Sequence, residues 1–225
     1  MIDGIEVRQI FAVTANSALG KEGKLPWNYF KEDMQRFKSK TMGGVVIVGR
    51  KTFDTFSAPL EGRFHVVLTR SLEAIQNHPF YDHPAVAFVS SVEEALRVAV
   101  NRSKLLLKKA VFVIGGADIY SLFAPYTDYL DVTLTHHLVP ADAFYPASFV
   151  EASKSIRVGA DNSSNLGHVL CVNNAQFFTC VWRYGSFNAS SSPTNFMFDF
   201  LTYKNAGVVR STIDANETPA MELCA

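Results

Sequence analysis

Runs and alternations of apolar residues divide the first two thirds of the chain into short strands and helices. Ile5–Thr14 (IEVRQIFAVT) is rich in β-branched and aromatic residues and predicts a mostly buried first strand. Ala15–Asn28 carries Gly20, Gly23 and Pro26 and predicts a loop. Phe30–Lys40 sets Phe30, Met34 and Phe37 on one helical face, with charged residues between them. Val45–Val48 is a wholly apolar strand, Arg50–Phe56 a helical turn or two, and Phe64–Thr69 and Val86–Val89 are further strands. Ser91, with Glu94 three residues on, has the pattern of a capping box opening a helix to about Asn101. Ala110–Ile114 is an apolar strand stopped by Gly115-Gly116, Asp118–Phe123 a short helix, and Tyr129–Leu138 a strand. Strands alternating with helices predict an α/β fold, a mainly parallel central sheet with flanking helices.

The last third has a different pattern. Ala147–Ala175 is polar and without clear period. Phe177–Tyr184 (FFTCVWRY) and Phe196–Tyr203 (FMFDFLTY) predict an antiparallel C-terminal strand pair joined by a Ser/Asn/Pro loop. Lys204–Ala225 has little apolar content and predicts a mobile tail.

Composition narrows the classes. The chain has 225 residues, 48% of them hydrophobic, which suits one α/β domain with extensions. Lysine plus arginine equals aspartate plus glutamate, 21 against 21, so no general attraction to nucleic acid or to an acidic membrane is expected. Cys171, Cys180 and Cys224 fit no zinc spacing and read as free thiols in a reducing compartment. The N-terminus lacks the basic start of a signal peptide, and no apolar run approaches a membrane span. Four Asn-x-Ser/Thr triplets, at Asn101, Asn162, Asn188 and Asn216, then read as chance. A cytoplasmic chain without a metal site is expected.

Gly20–Phe37 (GKEGKLPWNYFKEDMQRF) carries the sharpest chemistry. Asp33 follows Trp27 by six residues. Beside Glu32 it has the look of a solvated helix face. It also stands one position before Met34 and four before Phe37, bordering the apolar face, where burial would raise its pKa into the range of a useful acid. Gly115-Gly116 lies between a strand and a helix, where glycines let the backbone approach a phosphate, although a Gly-Gly pair alone is usually a turn.

Taken with GRKTF (Gly49–Phe53), LEGR (Leu60–Arg63), VIGGADIY (Val113–Tyr120) and the Thr133…Asp142 segment, this stretch resembles dihydrofolate reductase. The resemblance covers Val7–Pro146 well and Phe177–Asn205 loosely. It implies one domain over residues 1–205, with an insertion at 147–175 and a tail at 206–225. It further implies NADPH-dependent reduction of 7,8-dihydrofolate to 5,6,7,8-tetrahydrofolate, supporting one-carbon and thymidylate metabolism, by a monomer acting on small molecules. By the same resemblance Asp33 anchors the pterin and favours protonation at N5, Thr133 hydrogen-bonds that carboxylate, and Trp27 holds a water beside it. Met34, Phe37, Phe56, Leu60, Ile114 and Tyr120 line the substrate cleft, and Arg63 pairs with the α-carboxylate of the folate glutamate.

The implied cofactor side is NADPH on Gly49, Arg50, Lys51, Thr52, Thr69, Arg70, Gly115, Gly116, Ala117 and Ile119, with Ala12, Leu19 and Gly20 at the nicotinamide. Two arginines, Arg50 and Arg70, favour NADPH over NADH, because a phosphate monoester needs paired donors. Ala15–Lys24 is implied to be a flexible loop closing over the ring. A cis peptide is expected at Gly115–Gly116. Three residues depart from the family pattern: Asp118 stands where some members are basic, Tyr145 where a Phe is usual, and Phe56 where many have a smaller aliphatic residue. A reductase of the same fold acting on a riboflavin-pathway pyrimidine would share the cofactor side without needing Trp27, Asp33 or Arg63. A binding module that had lost turnover is the other alternative.

Overall fold

A computed structural model describes residues 1–27, 31–150, 168–188 and 197–208. Eleven strands and four α-helices follow in chain order. They are β1 (Glu6–Thr14), β2 (Ala18–Gly20), α1 (Lys31–Thr41), β3 (Val45–Gly49), α2 (Arg50–Phe53), β4 (Phe64–Leu68), β5 (Val86–Val89), α3 (Val92–Leu105), β6 (Ala110–Val113), α4 (Ala117–Phe123), β7 (Tyr129–Thr135), β8 (Ala143–Phe144), β9 (Val169–Val172), β10 (Gln176–Asn188) and β11 (Met197–Val208). Nine strands form one sheet in the order β5-β4-β3-β6-β1-β7-β11-β10-β9. From β5 to β7 every pairing is parallel. From β7 to β9 every pairing is antiparallel.

The parallel half is apolar because both of its faces are covered. All five residues of β3 are buried, and Val7, Val13, Val111, Val113, Leu130, Val132 and Leu134 of its neighbours join one core. α3 lays Ala95, Leu96, Ala99 and Val100 into that core, the i, i+3, i+4 spacing of one helical face. It starts where the sequence predicts, with the Ser91 hydroxyl accepting from the Glu94 amide at 3.1 Å, and runs on to Leu105. The sheet order also explains where a ligand belongs. β6 lies between β3 and β1, so the connection leaving β1 runs one way along the sheet and the connection leaving β6 runs the other, and open α/β sheets bind ligands beyond the carboxyl ends of strands at such a reversal of strand order. Thr14, Gly49, Leu68 and Val113 end β1, β3, β4 and β6.

Several expectations need correction. The predicted antiparallel pair is present as β10 and β11, and β9, formed within the segment read as aperiodic, adds a third antiparallel strand beside β10. β11 continues to Val208, into the segment read as tail. β7 stops at Thr135, short of Leu138. The loop after β1 contains β2, which pairs with β8 across a long sequence gap. Phe30, residues 151–167 of the expected insertion (Asn162 among them), and residues 209–225 of the expected tail, with Asn216 and Cys224, lie outside the described residues.

Candidate active site

Asp33 sits in the first turn of α1, and Thr133 sits in the middle of β7. The two are brought together across the sheet: the fully buried Thr133 hydroxyl donates to Asp33 Oδ1 at 2.6 Å. Asp33 itself is half-buried. Burial raises its pKa above the ordinary carboxylate value, while the Thr133 hydrogen bond and the positive charge of Arg36 pull it back. Ala12 on β1 is in register with Thr133, so the strand backbone passes beside this pair. Trp27 is half-buried, and its indole Nε1–H has no acceptor among the described residues. A buried N–H of that kind calls for a water or a ligand atom.

Apolar groups border the acid. Phe37 and Ile114 both pack on the cluster of Ile10, Val46 and Phe112, Met34 is 38% exposed, and α1 buries only Thr41 completely. Ile114 also joins the cluster of Val48, Phe53 and Phe56, which links the two sides. Tyr120 is buried, its hydroxyl donating to the Ile10 carbonyl at 3.0 Å, so its polar group is already spent inside the protein. Burial, and secondarily the charge of Asp33, push its phenol well above the ordinary tyrosine value.

Arg63 is buried, not a surface cation. It donates to the Glu61 carbonyl at 3.0 Å and to the Thr41 hydroxyl at 3.3 Å, and its guanidinium stands 5.9 Å from the centre of the Phe37 ring. The turn that carries it is fixed by a residue not evident in the sequence. His65, fully buried on β4, accepts from the Leu60 amide at Nε2 (3.0 Å), with its Nδ1 3.3 Å from the Ala85 carbonyl. Burial pushes its pKa down to about 4, so the imidazole stays neutral and keeps its acceptor nitrogen. A lone histidine in an apolar strand gives no sequence signal for that job.

The opposite end of the cleft is built from glycine. The Gly115–Gly116 peptide is cis, as the sequence predicts. Gly115 has φ +100°, and a Cβ there would lie 2.9 Å from the Tyr120 ring. A Cβ on Gly49 would lie 2.7 Å from Ile119, and one on Gly116 would lie 3.1 Å from the Thr52 hydroxyl. Gly49 donates its amide to the Gly115 carbonyl at 2.8 Å. The ends of β3 and β6 and the starts of α2 and α4, with Ala117 and Ile119, therefore meet in one cradle. Lys51 and Arg70 are exposed beside it. Arg50 is paired with Asp54, which also meets His78. Thr69 is turned inward, its hydroxyl bonded within the Thr69–Ser71 turn. Asp118 is exposed and makes no ion pair among the described residues.

The 15–24 loop is hydrogen-bonded to the 139–145 segment in this conformation. Besides the β2–β8 pairing, Glu22 donates its amide to Asp142 at 2.7 Å, Asp142 donates to the Gly20 carbonyl at 3.1 Å, and Tyr145 donates to the Ser17 carbonyl at 2.8 Å. Leu19 packs on the core. The Phe-to-Tyr departure at Tyr145 is absorbed in the core: its ring stacks on Phe11 at 4.1 Å, and its hydroxyl donates to Gln9 Oε1 at 2.7 Å.

Among the described residues, no group of His, Cys, Asp and Glu is placed to hold a metal ion, and no helix is long and apolar enough to cross a membrane. Comparison with known proteins agrees with the geometry. The family model described as dihydrofolate reductase matches residues 6–168. Dihydrofolate reductase type 8 of Escherichia coli is 38% identical over 140 residues, 62% of this chain and 80% of the relative. Dihydrofolate reductase of Bacillus subtilis is 34% identical over 137 residues, 61% of this chain and 73% of the relative. Among solved structures, a dihydrofolate reductase from Enterococcus faecalis, complexed with NADP(H) and RAB-propyl, superposes with TM-score 0.61 over 90% of this chain and 97% of the other, at 24% identity.

Proposed function

The chain belongs to the dihydrofolate reductase family, and on that premise we propose that it reduces 7,8-dihydrofolate to 5,6,7,8-tetrahydrofolate with NADPH. One observation carries the assignment of the acid: Thr133 fixes Asp33 at 2.6 Å in a half-buried position where the carboxyl pKa is raised. A pterin presents N3–H and a 2-amino group on one edge, and a carboxylate accepts both in a fork. Asp33 holds the ring by that edge and favours a proton at N5, with Trp27 Nε1 retaining the water between them. Met34, Phe37, Phe56, Leu60 and Ile114 hold the ring system by apolar contact, with the buried Tyr120 supporting them. Arg63, held by Thr41 and Glu61, receives the α-carboxylate of the glutamate.

The residues present fit the cofactor. Ile119, Tyr120 and the Thr52 hydroxyl crowd the Cβ positions of Gly49, Gly115 and Gly116, so glycine there lets the strand ends and the starts of α2 and α4 pack together, and the backbone amides at those helix starts would receive a pyrophosphate. Thr52 stands against Gly116; Lys51, Thr69 and Arg70 would complete the phosphate side, and Arg50 would join them by leaving Asp54, an exposed pairing of small worth. Ala12, Leu19 and Gly20 meet the nicotinamide. NADPH supplies the hydride; the chain supplies alignment, a proton route and exclusion of water. We place the enzyme in the cytoplasm, a reducing compartment that suits a buried free thiol such as Cys180, and take it to act as a monomer.

The test is NADPH oxidation with dihydrofolate, with and without methotrexate. Turnover abolished by the antifolate supports the reading. NADPH binding without turnover would limit it to the cofactor half and move the substrate to another heterocycle.

A further inference from the structure

Asp33 has a charged neighbour outside the set of residues that touch substrate or cofactor. Arg36 follows it by three positions on α1, a spacing that puts two side chains on one helix face. The Arg36 side chain is 9% exposed and stands 3.7 Å from Asp131 Oδ1. Its guanidinium donates to the Leu201 carbonyl at 3.4 Å and lies 4.8 Å over the Phe200 ring. Strand register makes this placement specific. Phe200 is the β11 residue opposite Thr133, and Thr202 is opposite Asp131. The ring beneath Arg36 is therefore the cross-strand neighbour of the threonine that holds Asp33.

Asp131 is fully buried on β7, two residues before Thr133. It accepts from Arg8 at 2.8 and 3.2 Å, from Lys40 at 3.0 Å and from the Thr202 hydroxyl at 3.2 Å. Arg8 also meets Glu6 at 2.8 Å. Three cations thus share the carboxylates of Asp131 and Glu6, so the group carries excess positive charge, and Asp33 is the next carboxylate along α1. A buried ion group of this kind contributes little net stability. Its position behind the acid gives it another use.

We propose that Arg36 is a positioning residue that sets the charge state of Asp33, and that Asp131 limits how much of the Arg36 charge Asp33 feels. The proposal rests on Asp33 being the pterin acid. The groups facing Asp33 are Arg36 from its own helix, Thr133 from β7 and the uncharged Tyr120 phenol from α4. Those facing Arg36 are Asp33, Asp131 from β7 and Arg8 from β1, with only a ring and a carbonyl from β11. Removing Arg36 leaves burial less opposed, so Asp33 holds its proton to higher pH. Removing the Asp131 charge leaves Arg36 less compensated, so Asp33 gives up its proton at lower pH.

Arg36→Gln and Asp131→Asn test this with opposite signs, which a merely structural role would not produce. The Asp33 carboxyl is followed by carbon NMR across pH in the ligand-free protein, its resonance assigned by loss in Asp33→Asn. The pH inflection of turnover with dihydrofolate is measured beside it. Between these sites charge interactions change proton affinity severalfold to about tenfold. The Asp33 midpoint and the turnover inflection are expected to move up in Arg36→Gln, to move down in Asp131→Asn, and to stay near the wild-type position in Arg36→Lys. A folded Arg36→Gln or Asp131→Asn with an unmoved midpoint, or both moving the same way, would overturn the proposal. If one of the two does not fold, the sign of the other decides. Absence of wild-type turnover would strike the substrate reading and leave the NMR titration to judge Arg36.

Discussion

Thr133→Val removes one hydroxyl and keeps a β-branched shape suited to the middle of β7. The backbone pairings to β1 and β11 do not depend on it. What is lost is the 2.6 Å bond from a fully buried donor to the Asp33 carboxylate. A hydrogen bond to a charged group contributes about 1.5–3 kcal/mol. The protonated carboxyl keeps some alternatives, so the lower end, about 1.5 kcal/mol, is the better figure, and it corresponds to roughly tenfold in proton affinity. The hydroxyl donates to the ionised form, so its removal favours the protonated one. Reduction consumes a proton, and turnover falls as pH rises through the midpoint of the group that favours it. The falling limb of the pH profile is therefore expected to move up by about one unit. The KM for dihydrofolate rises because the fork is less fixed, and NADPH affinity stays at its wild-type value. The assay is kcat and kcat/KM against pH for both proteins, with circular dichroism to check the fold. A folded variant whose limb stays put, or moves to lower pH, refutes the placement of Thr133 on the ionised acid.

Arg63→Ala removes a charge-assisted fork, and its loss is expected to raise the dihydrofolate KM by about ten- to a hundredfold with little change in kcat or NADPH affinity; a raised NADPH Kd would contradict the separation of the two ends. Gly49→Ala places a methyl 2.7 Å from Ile119, and overpacking of that kind costs about 1–3 kcal/mol, so weaker NADPH binding and a lower Tm are expected by titration and melting. Asp33→Asn is expected to melt higher than wild type at neutral pH. The folded-state pKa of Asp33 lies above its unfolded value, so the native state loses stability as pH rises through that window; the advantage of the variant disappears below about pH 4, where both states are protonated.

The parts legible in the sequence are those where chemistry restricts residue type at short range. Gly49 and Gly115-Gly116 tolerate no side chain because Ile119 and Tyr120 occupy the space, and the sequence carries that restriction as motif. Ser91 and Glu94 announce their cap for the same local reason. β2 and β8 were not legible, because strands of three and two residues owe their pairing to each other and to Asp142, not to their own pattern. β9 was hidden because Val169–Val172 is four residues between polar neighbours. Arg36 reads as one more cation on a charged helix, since Arg8 and Asp131, which give it meaning, lie on separate strands. Met34 fits the periodicity of a core face, yet it is 38% exposed while Phe37 of the same face packs on the sheet.

The assignment of Asp33 is tested most directly by the turnover of Asp33→Asn with NADPH and dihydrofolate across pH. Proton-transfer groups contribute about 10²–10⁴-fold. A loss of that order is expected near neutral pH, with partial recovery in acid, where solvent can protonate N5, and with NADPH affinity unchanged. Wild-type turnover at neutral pH in the folded variant would contradict it.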